Sequence, residues 1–151
     1  MFHSRFDAGR RLAERLKEEG IGKNPLILAL APGGVIVAAS VAGLLDTPIK
    51  LAKKGVSGLQ NLKEKSIIIV DDGQIERKKI SRLIKNLRKE KAAWITVCLP
   101  VYPFSKVRSL KKIADRVIAL FQPKIFFDTK EYYSDFPEVT PALAKKALKL
   151  V

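Results

Sequence analysis

Two adjacent carboxylates, Asp71 and Asp72, directly follow the apolar run 66–70 and are followed in turn by Gly73. Carboxylates at the end of a buried strand can bind the hydroxyls of a ribose, directly or through Mg²⁺, a hard cation that prefers oxygen ligands. Aspartate is also a favoured helix N-cap, which explains one such residue after a strand but not two. The pattern therefore predicts ribose binding at Asp71, Asp72 and Gly73, with both aspartates as candidate Mg²⁺ ligands.

A second candidate site is the turn Pro32-Gly33-Gly34, which follows the apolar run 26–30. Backbone N–H groups at the start of a helix bind anions, because they point away from the helix and carry partial positive charge. Gly33 and Gly34 are therefore candidate anion-binding residues.

Strand-like and helix-like segments alternate along the chain, and this alternation predicts a parallel sheet covered on both faces. Right-handed crossovers then give one doubly wound α/β domain over residues 1–151, with strand order 2-1-3-4-5. That order makes the first and third strands neighbours, so the glycine turn and the acidic pair face one cleft. The predicted helices are 7–20 with Asp7 as N-cap, 35–45, 76–90, 105–113 with Ser105 as N-cap, and one from Thr140; the predicted strands are 26–30, 47–52, 66–70, 93–99 and 117–121.

The composition excludes several classes of function. The only cysteine, Cys98, cannot form an internal disulfide, and together with Trp94 it is expected in the core. The only histidine, His3, lies near a terminus, so neither a zinc cluster nor a buried histidine base is expected. The uncharged run 25–45 nearly reaches the length of a membrane span, but the Pro-Gly-Gly turn interrupts it. With no secretory signal in residues 1–20, a soluble cytoplasmic protein is expected.

Basic residues strongly outnumber acidic ones. There are 29 Lys and Arg against 15 Asp and Glu, a net charge of +14. Such a charge fits an anionic partner, either a phosphate ester or a nucleic acid, and it also fits a solvated lysine-rich surface. Arg77, Lys78, Arg82 and Lys85 share part of one side of a predicted helix, which favours an anion-binding face there.

The segment 67–73, Ile-Ile-Ile-Val-Asp-Asp-Gly, resembles the phosphoribosyl-pyrophosphate (PRPP) signature of the type I phosphoribosyltransferases. Four further segments are similar to a bacterial and archaeal branch of this family: 5–13, 28–35, 53–55 and 133–139. The resemblance implies the type I fold with a reduced hood, Mg²⁺ as a cofactor, PRPP or a nucleotide as ligand, and a homodimer. It also implies roles for individual residues: Asp71, Asp72 and Gly73 on the ribose, and Gly33, Gly34, Lys53 and Lys54 on the pyrophosphate.

The sequence departs from the family where the 5′-phosphate binds. In the family, a small glycine-containing loop follows the acidic pair and offers N–H and hydroxyl groups to this phosphate. Here Glu76 repels a phosphate, and Arg77 lacks the backbone freedom of glycine. Lys78 and Lys79 supply charge from side chains instead of fixed donors. The residues at the loop position are Gln74, Ile75, Glu76, Arg77, Lys78 and Lys79.

Two more departures affect catalysis. Pro32 stands where the family has an arginine, which removes a charged donor and a backbone N–H. Only residues 55–65 separate the basic pair from the signature strand, which is too short for a lid that shields the reacting centre. These departures predict weak or lost transferase activity, with residual binding of PRPP, a nucleotide or phosphate.

Two alternatives stay open. In the first, the chain is an active transferase that moves a phosphoribosyl group to a nucleobase, with the basic run 77–79 replacing the phosphate loop and a partner subunit supplying closure. In the second, it is a regulatory or nucleic-acid-binding module. Of the aromatic residues in 126–133, a segment that builds the base-binding hood in relatives, Phe127 is the candidate for base stacking, although packing is the favoured role of this group.

Overall fold

The computed structural model describes residues 1–30, 32–52 and 55–151. Helices and strands alternate along the chain as the sequence predicts, and a short 3₁₀ helix, Thr129–Tyr132, is added in the segment that precedes the last helix. The strands are β1 (Pro25–Ala29), β2 (Ile49–Leu51), β3 (Ser66–Val70), β4 (Trp94–Val101) and β5 (Arg116–Phe121); the helices are α1 (Arg5–Glu19), α2 (Gly33–Leu45), α3 (Arg77–Lys89), α4 (Phe104–Lys111) and α5 (Pro141–Lys149).

The five strands form one parallel sheet in the order β2-β1-β3-β4-β5, which confirms the predicted topology. In the register of β1 with β3, Ala29 lies opposite Val70. The two strands therefore end at the same level, and the glycine turn after β1 lies beside the acidic pair after β3.

Alternate residues of the central strands face opposite sides of the sheet, as the two-residue period of a strand requires. In β3, Ile67 and Ile69 belong to the core under α3 and α4, whereas Ile68 and Val70 belong to the core under α1, α2 and α5. The whole of β3 is buried, as is typical of a parallel sheet with both faces covered.

Two predicted helix caps are wrong. The hydroxyl of Ser4, and not the carboxylate of Asp7, caps α1 and accepts a hydrogen bond from the Asp7 N–H at 3.4 Å. Helix α4 begins at Phe104 after Pro103, so Ser105 lies inside it. The predicted cap at Thr140 is confirmed, because its side chain accepts a bond from the Leu143 N–H.

The structure separates Trp94 from Cys98, although both belong to β4. Trp94 is the first residue of the strand and its side chain is 45% exposed, so its predicted place in the core is wrong. Cys98 is fully buried at the centre of the sheet, as expected. Among the described residues, no helix has both the length and the apolar character needed to cross a membrane.

Burial raises the pKa of the Cys98 thiol to about 12, so we expect it to be unreactive while the chain is folded. At pH 8, labelling by a disulfide reagent is expected to be about a thousandfold slower than in the guanidinium-unfolded chain, because it requires opening of the core. A native labelling rate within tenfold of the unfolded rate would contradict the burial of Cys98.

Candidate functional site

A cleft of about 980 Å³ opens at the carboxyl ends of β1 and β3, where the sequence predicts a site. Its floor is formed by the turn before α2 and by the acidic pair. One wall is the loop after β3 with α3 as far as Asn86, and another is the C-terminal segment 136–139. The strand order therefore positions the two predicted loops in a single cavity, as the rule for doubly wound sheets requires.

The carboxylate of Asp71 is held by the backbone of its own loop. Its side-chain Oδ2 accepts hydrogen bonds from the N–H groups of Gly73 and Ile75, both at 3.1 Å. The residue is only 4% exposed. Burial, together with the neighbouring charge of Asp72, raises the pKa of this carboxyl well above its ordinary value.

Asp72 is held by side chains from other parts of the structure. It is 1% exposed, and its Oδ2 accepts hydrogen bonds from Arg5 Nε at 3.1 Å and from Gln74 Nε2 at 2.9 Å. Its Oδ1 accepts a third bond, from the Gln74 N–H at 3.0 Å. Both carboxylate oxygens of Asp72 are therefore occupied by donors of the protein itself.

Arg5 joins Asp72 to the far end of the chain. Its Nη1 donates a hydrogen bond of 2.6 Å to the carbonyl of Pro137, and its guanidinium lies 3.7 Å from the centre of the Phe136 ring. The hydroxyl of Tyr133 adds a hydrogen bond of 2.8 Å to the Asp72 carbonyl. We call these five residues, Arg5, Asp72, Tyr133, Phe136 and Pro137, the clasp.

Arg5 is a site residue to which the sequence alone assigned no role. Arg5 is the first residue of α1, where the partial positive charge of a helix N-terminus disfavours a cation. A buried arginine in that position requires a carboxylate partner nearby, and the only buried carboxylates among the described residues are Asp71 and Asp72. The identity of the partner became clear only with the fold.

Gly33 and Gly34 lie against the acidic pair. A Cβ atom at position 33 would overlap Asp72 Oδ2, and one at position 34 would overlap Asp71 Oδ1. Both glycines are buried. Their lack of side chains thus allows the two carboxylates to reach the start of α2, where the helix dipole favours negative charge. The predicted role of these glycines toward pyrophosphate stays a prediction, and Lys53 and Lys54 lie outside the described residues.

The loop at the predicted phosphate position turns its amides inward. The N–H groups of Gly73, Gln74 and Ile75 all donate to the acidic pair, so they are not directed at the cleft. Glu76 is the N-terminal flanking residue of α3 and makes no side-chain capping bond. The loop thus differs from that of the family, in which backbone N–H groups are offered to the phosphate.

Helix α3 presents only part of its predicted basic side to the cleft. Lys79, Arg82 and Asn86 line it, and of the four basic residues expected to form an anion-binding face only Arg82 does so. Arg77 donates instead to the Ser81 hydroxyl at 3.1 Å. The other residues of the predicted face, Lys78 and Lys85, are exposed and lie outside the lining.

The aromatic candidate for base stacking lies away from the cavity. Phe127 is 82% exposed and is not part of the lining, whereas Phe136 is. Tyr133 and Phe126 pack in a small cluster around Phe2, in agreement with the packing role favoured for this group. Residues 55–65 form turns, and among the described residues no helix or strand lies between β2 and β3 that resembles a lid.

The described part of the cleft lining does not share the strong positive charge of the whole chain. Its cations and carboxylates are close to balance, and one carboxylate, Asp71, has a raised pKa. The charged residues of its described lining are Arg5, Lys79, Arg82 and Lys130 against Asp71, Asp72, Glu76, Asp128 and Glu138.

The acidic pair as arranged does not fit a resident Mg²⁺ ion. Three of its four carboxylate oxygens accept hydrogen bonds from N–H donors, and the guanidinium of Arg5 is in direct contact with Asp72. Among the described residues, no group of three or more carboxylate, histidine or cysteine side chains is placed to hold a metal. A Mg²⁺ requirement remains a prediction.

The fold has close counterparts among solved structures, although no protein-family model matches the chain. It is similar to the protein TT1426 of Thermus thermophilus, with a TM-score of 0.82 and 23% identity over 97% of each chain. It is also similar to a purine phosphoribosyltransferase of Pyrococcus horikoshii, with a TM-score of 0.58 and 26% identity over 88% of this chain and 90% of the other.

A third similar structure is a hypothetical protein of Neisseria gonorrhoeae with bound ppGpp, at a TM-score of 0.64 and 14% identity over 99% of this chain and 98% of the other. Hypoxanthine-guanine and orotate phosphoribosyltransferases match as well. The chain has the type I phosphoribosyltransferase fold, and the resemblance seen in its motifs is confirmed.

The raised pKa of Asp71 sets a pH dependence of stability. Between the ordinary value of 3.8 and the raised one, the folded state holds a proton that the unfolded state has released, so stability falls as pH rises through this window. We expect Asp71→Asn to flatten that fall and to raise the unfolding free energy at pH 8, because the variant has no carboxyl group at this position to ionise in the core. Urea unfolding from pH 5 to 8 measures it, with the exposed Asp135→Asn as control; equal pH profiles for Asp71→Asn and the parent would contradict it.

Removal of the Arg5 charge leaves Asp72 buried without its cation. We expect Arg5→Met to lower the unfolding free energy by about 3–5 kcal/mol, because an uncompensated buried charge is costly. The exposed Arg10, which pairs with Asp7 and Glu14, provides the control, and Arg10→Met is expected to cost less than about 1 kcal/mol. Thermal and urea unfolding measure both, and the double variant Arg5→Met/Asp72→Asn should recover part of the loss. Similar costs for the two arginines would show that the clasp does not stabilise the fold.

Proposed function

We propose that this chain binds a phosphorylated small molecule, PRPP or a nucleotide, in the cleft between β1 and β3 and has weak or no transferase activity. The observation that carries the proposal is the state of the acidic pair. The carboxylates expected to receive ribose hydroxyls already accept hydrogen bonds from Arg5, Gln74 and the loop backbone. A ribose must displace a buried ion pair to reach Asp72, which opposes the tight positioning that phosphoribosyl transfer needs.

The cations on the wall of the cleft support binding of a phosphate group. Lys79 and Arg82 lie one turn apart on α3 and both line the cavity. Neither forms an ion pair with any residue that the structure describes, so both are available to a ligand anion. Charged side chains thus take the place of the inward-directed loop amides, and Arg82 offers a planar, bidentate donor set for phosphate.

The Neisseria structure supports the class of ligand. It has this fold and holds ppGpp, a phosphorylated nucleotide. A cavity of about 980 Å³ is large enough for a ligand of that size, since small-molecule sites are typically about 300–1,000 Å³.

The similarity to the purine phosphoribosyltransferase of Pyrococcus horikoshii favours an active transferase as the second candidate. In that case Arg5 must leave Asp72 when PRPP binds, and closure must come from a second subunit. A homodimer is part of this candidate, and light scattering after size-exclusion chromatography tests it.

Calorimetric titration of the full chain with PRPP and with guanosine nucleotides, with and without Mg²⁺, tests the proposal. We expect saturable binding of at least one of these ligands, about tenfold weaker in Lys79→Gln/Arg82→Gln because two phosphate contacts are lost. The matched control, Lys78→Gln/Lys85→Gln, removes the same charge from the same helix outside the lining and should bind within about twofold of the parent. Absence of saturable binding to every ligand, or equal loss in both variants, would contradict the proposal.

Turnover assays decide between the two candidates. With PRPP and adenine, guanine or hypoxanthine, we expect no product above the rate without enzyme. Product formation that Asp72→Asn abolishes would overturn the loss of activity and establish the transferase.

A further inference from the structure

Two segments of the chain, 76–91 and 103–115, contribute most of its net positive charge. They contain α3 and α4. They make up less than a fifth of the chain but hold twelve of its 29 cationic residues and three of its 15 acidic ones. They therefore supply a net charge of +9 out of the total of +14. We call the exposed Lys and Arg side chains of these segments the basic face, leaving out Lys79 and Arg82, which line the cleft.

The two helices lie side by side on the same face of the sheet, over one shared core. Their C-terminal ends are tied together by Arg88, which donates to Asp115 Oδ2 at 2.8 Å and to the Ile113 carbonyl at 3.1 Å. The apolar residues of α3 point into the core. The other exposed basic residues of the two helices lie outside the cleft lining and are turned away from the core.

The basic face has almost no counter-charges. Among the described residues, its one ion pair is the Arg88–Asp115 bond that ties the helices together. On the other side of the sheet, α1 is also rich in arginine, but Arg10, Arg11 and Arg15 each pair with a carboxylate of the same helix. The difference means that the basic face carries uncompensated like charges, whose mutual repulsion a bound polyanion relieves.

The composition of the basic face distinguishes between polyanions. In these two segments the one exposed large apolar side chain among the described residues is Ile113, at 38%. An anionic membrane binds amphipathic surfaces through inserted apolar side chains, which this surface lacks. Single strands bind through exposed aromatic rings that stack on bases. The one ring in these two segments, that of Phe104, is half-buried, and Lys124 Nζ lies 5.6 Å from its centre. A duplex needs neither feature, because its backbone has the highest charge density.

We propose that the basic face binds the phosphodiester backbone of a double-stranded nucleic acid, independently of sequence. Helix α3 has 13 residues and spans about 20 Å. We expect the basic face as a whole, with cations from both helices, to neutralise about six phosphates of a duplex. This surface does not depend on occupancy of the cleft, so failure of the ligand proposal leaves it unaffected.

Fluorescence anisotropy of a labelled 20-base-pair DNA duplex with the full chain tests the proposal between 50 and 200 mM salt. We expect saturable binding. The logarithm of the association constant should fall linearly with the logarithm of the salt concentration, with a slope of about −5, the value for six released counterions. A single strand of the same length and vesicles of phosphatidylcholine and phosphatidylserine serve as competitors and are expected to bind more weakly. Tighter binding of either would overturn the assignment to a duplex.

Two variants of equal net charge separate the basic face from the overall charge. Lys85→Gln/Lys89→Gln/Lys111→Gln/Lys112→Gln removes four exposed lysines of the basic face. The control removes four exposed lysines of α1 and α5, on the opposite side of the sheet: Lys17→Gln/Lys145→Gln/Lys146→Gln/Lys149→Gln.

In the first variant we expect at least tenfold weaker binding and a salt dependence whose slope is less steep by about three units. In the control we expect an association constant within about twofold of the parent's. Equal loss in both, or no saturable binding by the parent chain, would contradict the proposal. Thermal unfolding confirms that both variants fold, and Lys85→Gln/Lys111→Gln repeats the test with fewer changes.

Discussion

The buried ion pair between Arg5 and Asp72 holds together the parts of the structure on which the site depends. It joins the first turn of α1 to the loop after β3, and through Pro137 it fixes the C-terminal wall of the cleft. Removal of two charges from water is expensive, so the pair is sustained by its further hydrogen bonds and by the Phe136 ring that covers the guanidinium. The same contacts that shape the cavity also occupy the carboxylate that would bind a ribose.

The order of the strands could be predicted from the sequence, and so could the proximity of the glycine turn to the acidic pair. Both depend only on the periodicity of apolar residues and on the right-handedness of the crossovers. A continuous apolar run such as Ile67–Val70 predicts a buried strand, and the crossover rule then limits the topology. Helix caps were less predictable, because Ser4, Asp7 and Ser105 all have suitable side chains and the choice depends on the path of the backbone. Trp94 was misplaced since hydrophobicity indicates burial only where a neighbouring element covers the residue.

Within the site, residue types were more predictable than their partners. The acidic pair is visible in the sequence, but hydrogen bonds from Arg5 and Tyr133 come from residues more than sixty positions away. The side of α3 that faces the cleft depends on how the helix is rotated about its axis. Buried residues such as Ile80 and Leu83 show which side faces the core, but they do not show which of the flanking residues face the cleft. The distribution of charge shows the same limit, because only the fold reveals that the described lining of the cleft is nearly neutral while the outer surface of α3 and α4 is strongly basic.

The hydrogen bond between Arg5 and Pro137 spans 132 residues of chain, and this has a consequence for synthesis on the ribosome. Translation proceeds at about 5–20 residues per second, so the arginine emerges roughly 7 to 26 seconds before its distal carbonyl partner. During that interval the central strands can pair while the guanidinium has only part of its surroundings. The binding cavity is therefore among the last features of the molecule to be completed, and a nascent chain that already has most of its sheet still has an open, unfinished site.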